Sequence, residues 1–229
     1  HTWRTQASFA RQAQVSVSAQ NAGASAHSAG ADSHTLFSHP NEEQTMKTGI
    51  RMAVAMVTAV SSGAMAAPFS VSSNDMRDGQ PLAQQHWFAG FGCTGGNVSP
   101  QLAWKNAPAG TRSFAVTVRD PDAPTGSGWW HWTVVNIASS VFSLPAGAGD
   151  KNSATLPGGA IQGRNDFGYA GFGGACPPAG DKPHRYRFTV WALDVPTLPV
   201  DAGASGALVG YLLHSHALAS AQLTAMAGR

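Results

Sequence analysis

Between Ser113 and Asn136 the chain reads SFAVTVRDPDAPTGSGWWHWTVVN, and no other stretch restricts the possible folds as much. Phe114, Val116 and Val118 alternate with smaller or more polar neighbours, the period-two signature of a half-buried strand. Asp120-Pro121-Asp122-Ala123-Pro124 comes directly after. Each proline fixes its own φ and biases the preceding residue toward extended backbone, so two carboxylates stand on stiff backbone at a strand end. Thr125-Gly126-Ser127-Gly128 then turns the chain, and Trp129 to Asn136 returns as a strand that opens on aromatic residues and His131. The acidic tip is either a solvated turn or one wall of a polar site, and the rest of the chain decides between them.

The first third of the chain has a different character. Residues 1–45 are rich in Ala, Ser, Gln and His and lack a sustained apolar period, as a disordered extension does. Glu42-Glu43, just ahead of Met46, admits the purine-rich codons of a ribosome-binding sequence, so residues 1–45 are expected to be upstream sequence with translation starting at Met46. Lys47 and Arg51 then precede the apolar run Met52 to Val60 and the small-x-small pattern Ala64-Met65-Ala66. Residues 46–66 therefore have the layout of a secretory signal peptide, too short to span a membrane, with a domain over 67–229 after cleavage. A periplasmic or secreted product with no transmembrane segment is expected.

From Ala67 onward ten Lys or Arg face nine Asp and no Glu, with no basic run or stripe, which argues against a nucleic-acid partner. Twenty-six glycines and fourteen prolines in the whole chain favour a loop-rich β protein. Strands are expected at Phe69–Ser73, near Trp87-Phe88, and at Leu102–Trp104, Ser113–Val118, Trp129–Ile137, Val141–Leu144, Arg185–Leu193 and Ala219–Ala225. One helix is expected, over Ser205–His216. That spacing predicts a mainly β fold, a sandwich or barrel of antiparallel sheet with few short helices. Cys93 and Cys176 belong to no CxxC pair, and two lone cysteines in an exported domain are expected to form one disulfide.

A second stretch, CPPAGDKPHRYRFTVW from Cys176 to Trp191, carries Pro177, Pro178 and Pro183 before His184-Arg185-Tyr186. Alternation puts His184, Tyr186, Phe188 and Val190 on one face of a strand and Arg185, Arg187 and Thr189 on the other. Two strand-end histidines and a rigid Asp pair are the parts of a small polar pocket. Three chemistries fit such parts. His and Asp ligands suit zinc or iron, but no HExxH or HxH spacing supports a metal. A hydrolase would use His131 or His184 as base with Asp120 or Asp122 orienting it, although Ser127 lies in no GxSxG elbow. An anion site would grip phosphate or carboxylate with imidazoles and loop N–H groups. Asp166 and Arg164 are expected either at the pocket mouth or as a structural pair. Trp87, Trp104, Trp132 and Trp191 are expected in the core, and His214 and His216 at the surface.

Taken together, Asp120-Pro121-Asp122-Ala123-Pro124, Trp130-His131, Pro177-Pro178 and His184-Arg185-Tyr186 resemble the phosphatidylethanolamine-binding protein (PEBP) family, also called Raf kinase inhibitor-like. GSGWWHWTVVN and GRNDFGYAGFGGACPPAGDKPHRY resemble its bacterial YbhB/YbcL branch, specifically the exported members with two cysteines. The match spans about Phe69 to Met226. The resemblance implies a β-sandwich on a large antiparallel sheet and a small anion pocket for phosphate-type ligands, such as phosphorylethanolamine or phospholipid headgroups. It implies Asp120, Asp122, His131, Pro178, His184 and Tyr186 as the ligand-binding residues, with no catalytic residue, metal or cofactor. It also implies that Trp130 replaces a histidine of animal relatives and makes the pocket more apolar, and that their C-terminal helix has no counterpart. The alternatives are a hydrolase using His131, His184 and Asp120, and an interaction protein of the protease-inhibitor type. Kinase inhibition does not carry over to an exported protein, and a homodimer stays open.

Overall fold

A computed structural model describes residues 67–152 and 156–229. The extension over 1–45 and the signal peptide over 46–66 lie outside the described residues. In chain order the strands are β1 (Ser70–Ser72), β2 (Ala89–Gly90), β3 (Cys93–Thr94), β4 (Leu102–Lys105), β5 (Ser113–Asp120) and β6 (Trp129–Ala138). Next come β7 (Ser143–Leu144), β8 (Ile161–Gln162), β9 (His184–Leu193), helix α1 (Gly206–His216) and β10 (Ala217–Ala227).

Five strands form one sheet in the order β10-β9-β5-β6-β8, every neighbouring pair antiparallel. A second sheet, β1-β4-β7, packs on one face of it, and β2 and β3 form a small hairpin apart. The main core lies between the two larger sheets. Phe114, Val116 and Val118 of β5, Trp132 and Val134 of β6 and Phe188 and Val190 of β9 meet Leu102 and Trp104 of β4 and Leu144 of β7 there. Burying each such side chain contributes roughly 1.5–3 kcal/mol relative to leaving it in water.

The opposite face of the large sheet is also covered. Val209 and Leu213 of α1 pack with Ala115, Val135 and Leu193 in a second apolar cluster. This corrects the half-buried strand expected at Ser113–Val118. Ala115 is fully buried and Thr117 is 3% exposed, so β5 is a central strand covered on both faces, its smaller residues facing the helix layer. The helix begins where its cap lies: Ser205 accepts the backbone N–H of Leu208, satisfying one of the free donors at a helix start.

Two further corrections concern the strands. Near Trp87-Phe88 the chain makes a 3-10 turn over Gln84–His86 and touches Ala175 through one isolated bridge, with strand pairing starting only at Ala89. The ring of His86, buried and bonded at Nδ1 to the Val98 carbonyl, holds that turn in place. Strands β3 and β8, two residues each, are too short to show any periodicity. Trp104 and Trp132 are buried as expected, Trp87 and Trp191 pack partly buried against the clusters, and His214 is exposed.

Cys93 and Cys176 form the expected disulfide, with Cα atoms 5.9 Å apart and a sequence separation of 83. Closing a loop that long stabilises the fold by roughly 4–5 kcal/mol through the lost entropy of the unfolded chain.

Candidate functional site

The C-terminal end of β5 and the N-terminal ends of β6 and β9 lie at the same edge of the large sheet, and a cavity of about 180 Å³ opens there. That is below the range of drug-sized pockets and suits a small chemical group. Asp120, His131, Pro178, His184 and Tyr186 line it. Asp122 does not.

Asp120 is built into the turn just after it. Its Oδ1 accepts the backbone N–H of Asp122 at 2.8 Å and of Ala123 at 3.1 Å, closing the turn that the two prolines stiffen. Its Oδ2 accepts Nδ1–H of His184 at 2.7 Å, and both side chains are buried. The other nitrogen of that ring, Nε2, stands 3.4 Å from Oδ2 of Asp181, which is half exposed. One imidazole thus lies between two carboxylates.

Asp122 turns outward instead. Its carboxylate accepts the backbone N–H, Nε–H and Nη2–H of Arg185, a bidentate clamp that ties the Pro121–Pro124 turn to the start of β9. The side-chain hydrogen bonds from Arg185 are the main reason its pKa falls to about 2. Its place is beside the pocket, holding the wall that carries Asp120.

His131 occupies a β-bulge. The pairing steps from Val118↔Trp132 to Arg119↔Trp130, so His131 has no partner on β5, and such bulges re-aim side chains. Its Nδ1–H donates to the Gly173 carbonyl at 2.7 Å while Gly173 N–H donates back to the His131 carbonyl at 2.8 Å. Gly173 must be glycine, because a Cβ there would lie 2.3 Å from the Phe167 ring. Burial pushes the His131 pKa below the ordinary histidine value, against the smaller opposing pull of the Gly173 carbonyl and of Asp120. The ring is therefore neutral with its proton on Nδ1, and Nε2 keeps a lone pair. It accepts a hydrogen bond; it does not supply a positive charge.

Tyr186 has the complementary character. Its hydroxyl is buried with no hydrogen-bond partner in the protein, though Asp120 and the Cys176 backbone lie near it. Burial first, then the charge of Asp120, raises its pKa far above the ordinary phenol value, so it keeps its proton and stays a donor. The Trp129 indole N–H, on another lining residue, is likewise buried and unpaired.

The apolar wall comes from residues that sequence reasoning missed. Trp129, Phe167 and Phe91 form it, with the Trp129 and Phe167 ring centroids 5.4 Å apart. Trp130, expected in the pocket, faces the other side of the sheet, where its ring packs on Gly206 of α1 and lies under the Arg119 guanidinium. Alternation along β6 could not give that answer, because the bulge at His131 breaks it: counted back from the core residues Val134 and Trp132, the period of two points to Trp130. Phe167 had no local signal, because it reaches the cavity from a distant loop. Arg164 and Asp166 do not line the cavity and form no ion pair with each other among the described residues. The Asp166 carboxylate accepts the Trp130 backbone N–H at 2.7 Å. Ser127 is also absent from the lining, and the disulfide uses both sulfurs. Among the described residues no group of three or more His, Cys, Asp or Glu side chains is placed to hold a metal ion.

The family model of the phosphatidylethanolamine-binding protein matches residues 72–228. YbcL of Escherichia coli K12 is 62% identical over 161 residues, covering 70% of this chain and 88% of that protein. YbhB of the same organism is 56% identical over 154 residues, covering 67% of this chain and 96% of that protein. The crystal structure of E. coli YbcL, a new member of the mammalian PEBP family, superposes with a TM-score of 0.70 at 60% identity. It covers 71% of this chain and 99% of its own. With the sheet order, the site and these matches together, the chain belongs to the phosphatidylethanolamine-binding protein family.

Proposed function

We propose that the cavity binds a small anionic ligand of the phosphate-ester type without making or breaking a covalent bond. The buried, unpartnered hydroxyl of Tyr186 on the cavity wall carries this reading. An unsatisfied buried donor costs about 1–3 kcal/mol, and a ligand oxygen at the cavity's polar end removes that cost. His184 adds a ring nitrogen at the same end, held by Asp120. The binding role fits the family name, and neither the Cys176 sulfur nor the Thr125 hydroxyl in the lining is free to act as a nucleophile. Both cysteines are joined, and the Thr125 hydroxyl donates to the Gly128 carbonyl.

The neutral His131 refines the choice of ligand. Its lone pair accepts a P–O–H proton, so the site favours the monoanion of a phosphate ester over the dianion. The second ionisation of such an ester lies at about pH 6. Burial lowers the His131 pKa and so favours the neutral ring over the imidazolium. The share of monoanion, and with it binding, rises as pH falls from about 8 toward about 6. The disulfide and the layout of residues 46–66 support export to an oxidising compartment. Among the described residues no helix is long and apolar enough to cross a membrane.

Calorimetric titration with phosphorylethanolamine and inorganic phosphate, at about pH 5.5 and about pH 8, tests the reading. Tyr186→Phe, which removes only the donor, is expected to weaken binding by about tenfold. A folded protein that gives no binding heat with either ligand at either pH overturns it.

A further inference from the structure

The tip of the β2–β3 hairpin is built at a cost that the fold does not recover. Gly90 pairs with Cys93, leaving Phe91-Gly92 as a two-residue turn with φ of 53° and 77°. Positive φ at both positions favours Asn or Gly, and a bulky aromatic residue is an outlier there. Phe91 is also 70% exposed as a residue, so it gains little from burial. A residue unfavourable in backbone and in solvent alike points to a role outside folding.

Its position supplies that role. Phe91 stands on the cavity lip, its ring 5.6 Å from Phe88 and 5.7 Å from Phe167, which in turn contacts Trp129. The cavity is polar at the Tyr186–His184 end and aromatic at this one. Two-residue strands cannot hold such a lip by themselves. The Cys93–Cys176 bond fastens the hairpin to the pocket segment ending in Pro177-Pro178. The Arg229 guanidinium reinforces it, donating to the carbonyls of Pro177, Gly92 and Phe91.

We infer that Phe91, held in place by the Cys93–Cys176 disulfide, is a specificity-determining wall that selects anions bearing a compact aromatic or apolar group over the bare anion. The inference rests on the anion reading above and narrows its ligand class to phosphate monoesters of small, flat apolar alcohols. The anion meets Tyr186 and His184 while the attached group lies against Phe91, Phe167 and Trp129.

Phenyl phosphate and inorganic phosphate are the probes, titrated calorimetrically into the purified protein, into Phe91→Ala and into the double variant Cys93→Ser with Cys176→Ser. The unaltered protein is expected to prefer phenyl phosphate by about tenfold, the scale of one added ring contact. Phe91→Ala is expected to cut that ratio to about twofold, and the double cysteine variant to do the same through the freed hairpin. Equal affinity for the two probes in the unaltered protein, or a ratio that survives Phe91→Ala, overturns the wall while leaving the anion site standing. Failure of both probes to bind removes the anion reading and this inference together. If the cysteine variant does not fold, Phe91→Ala alone decides; if it folds and keeps the ratio, the disulfide has no part in selection.

Discussion

Asp120→Ala takes one acceptor away from three donors at once: the backbone N–H groups of Asp122 and Ala123 and Nδ1–H of His184. Asp120 is 3% exposed, so water replaces the lost oxygens poorly. Unsatisfied buried donors cost about 1–3 kcal/mol each. With three donors affected and some re-pairing, the expected loss is about 4 kcal/mol, or about 10 °C in Tm for a domain of this size. Asp120→Asn separates acceptor from charge. Its amide oxygen still closes the turn, and its Nδ2–H group meets His184 once that ring moves its proton to Nε2. A neutral hydrogen bond then replaces a charge-assisted one, a loss of about 1–2 kcal/mol. Urea unfolding monitored by tryptophan fluorescence measures both, and the Ala variant must be clearly the weaker. If Asn is as damaging as Ala, the negative charge and not the acceptor geometry holds the turn. If Ala falls within about 0.5 kcal/mol of the parent, the carboxylate has no structural part and the prolines alone hold the turn.

The Asp122–Arg185 clamp makes stability pH-dependent in a definite direction. A carboxyl whose folded pKa is depressed stabilises the protein fully above its unfolded value of 3.8 and loses that contribution as pH falls toward about 2. Because the pair is partly exposed, the contribution is about 1 kcal/mol, and the difference in urea midpoint between the protein and Asp122→Asn should shrink between about pH 5 and about pH 2. On the proposed anion reading, the Asp181 carboxylate, 3.4 Å from Nε2 of His184, repels the bound anion. Asp181→Asn should therefore tighten phosphate binding by about three- to tenfold in calorimetry; weaker binding would show that Asp181 helps to hold the ligand.

The chain announced the polar half of the site and concealed the aromatic half. Prolines flanking Asp122 marked a rigid strand end, and histidines at strand starts marked the edge where strands converge, because both signals are local. Alternation placed Tyr186 beside His184 correctly, but the bulge at His131 breaks the same rule on β6 and puts Trp129, not Trp130, on the face of Trp132. Asp122 looked equivalent to Asp120, and only the approach of Arg185 from another strand separates them. Phe91 and Phe167 arrive from segments far away in the sequence, and no periodicity encodes a contact of that kind. The half-buried appearance of β5 had a similar cause: α1, which covers its second face, comes more than eighty residues later, outside any local window.

The order of strands across the large sheet also governs when this protein can exist at all. β9 lies between β5 and β10, and its first residue, His184, bonds to Asp120 across 64 positions of chain. Until that segment has been synthesised, β5 has only its hairpin partner β6, and every contact on its other edge is long-range. Such topologies close slowly, because the entropy of a large loop is lost before any pairing compensates it. A chain made only as far as β6 thus holds at most the β5–β6 pair and no complete cavity, because His184 and Tyr186 of its wall lie on β9. The arrival of β9 therefore completes the central strands and the cavity together.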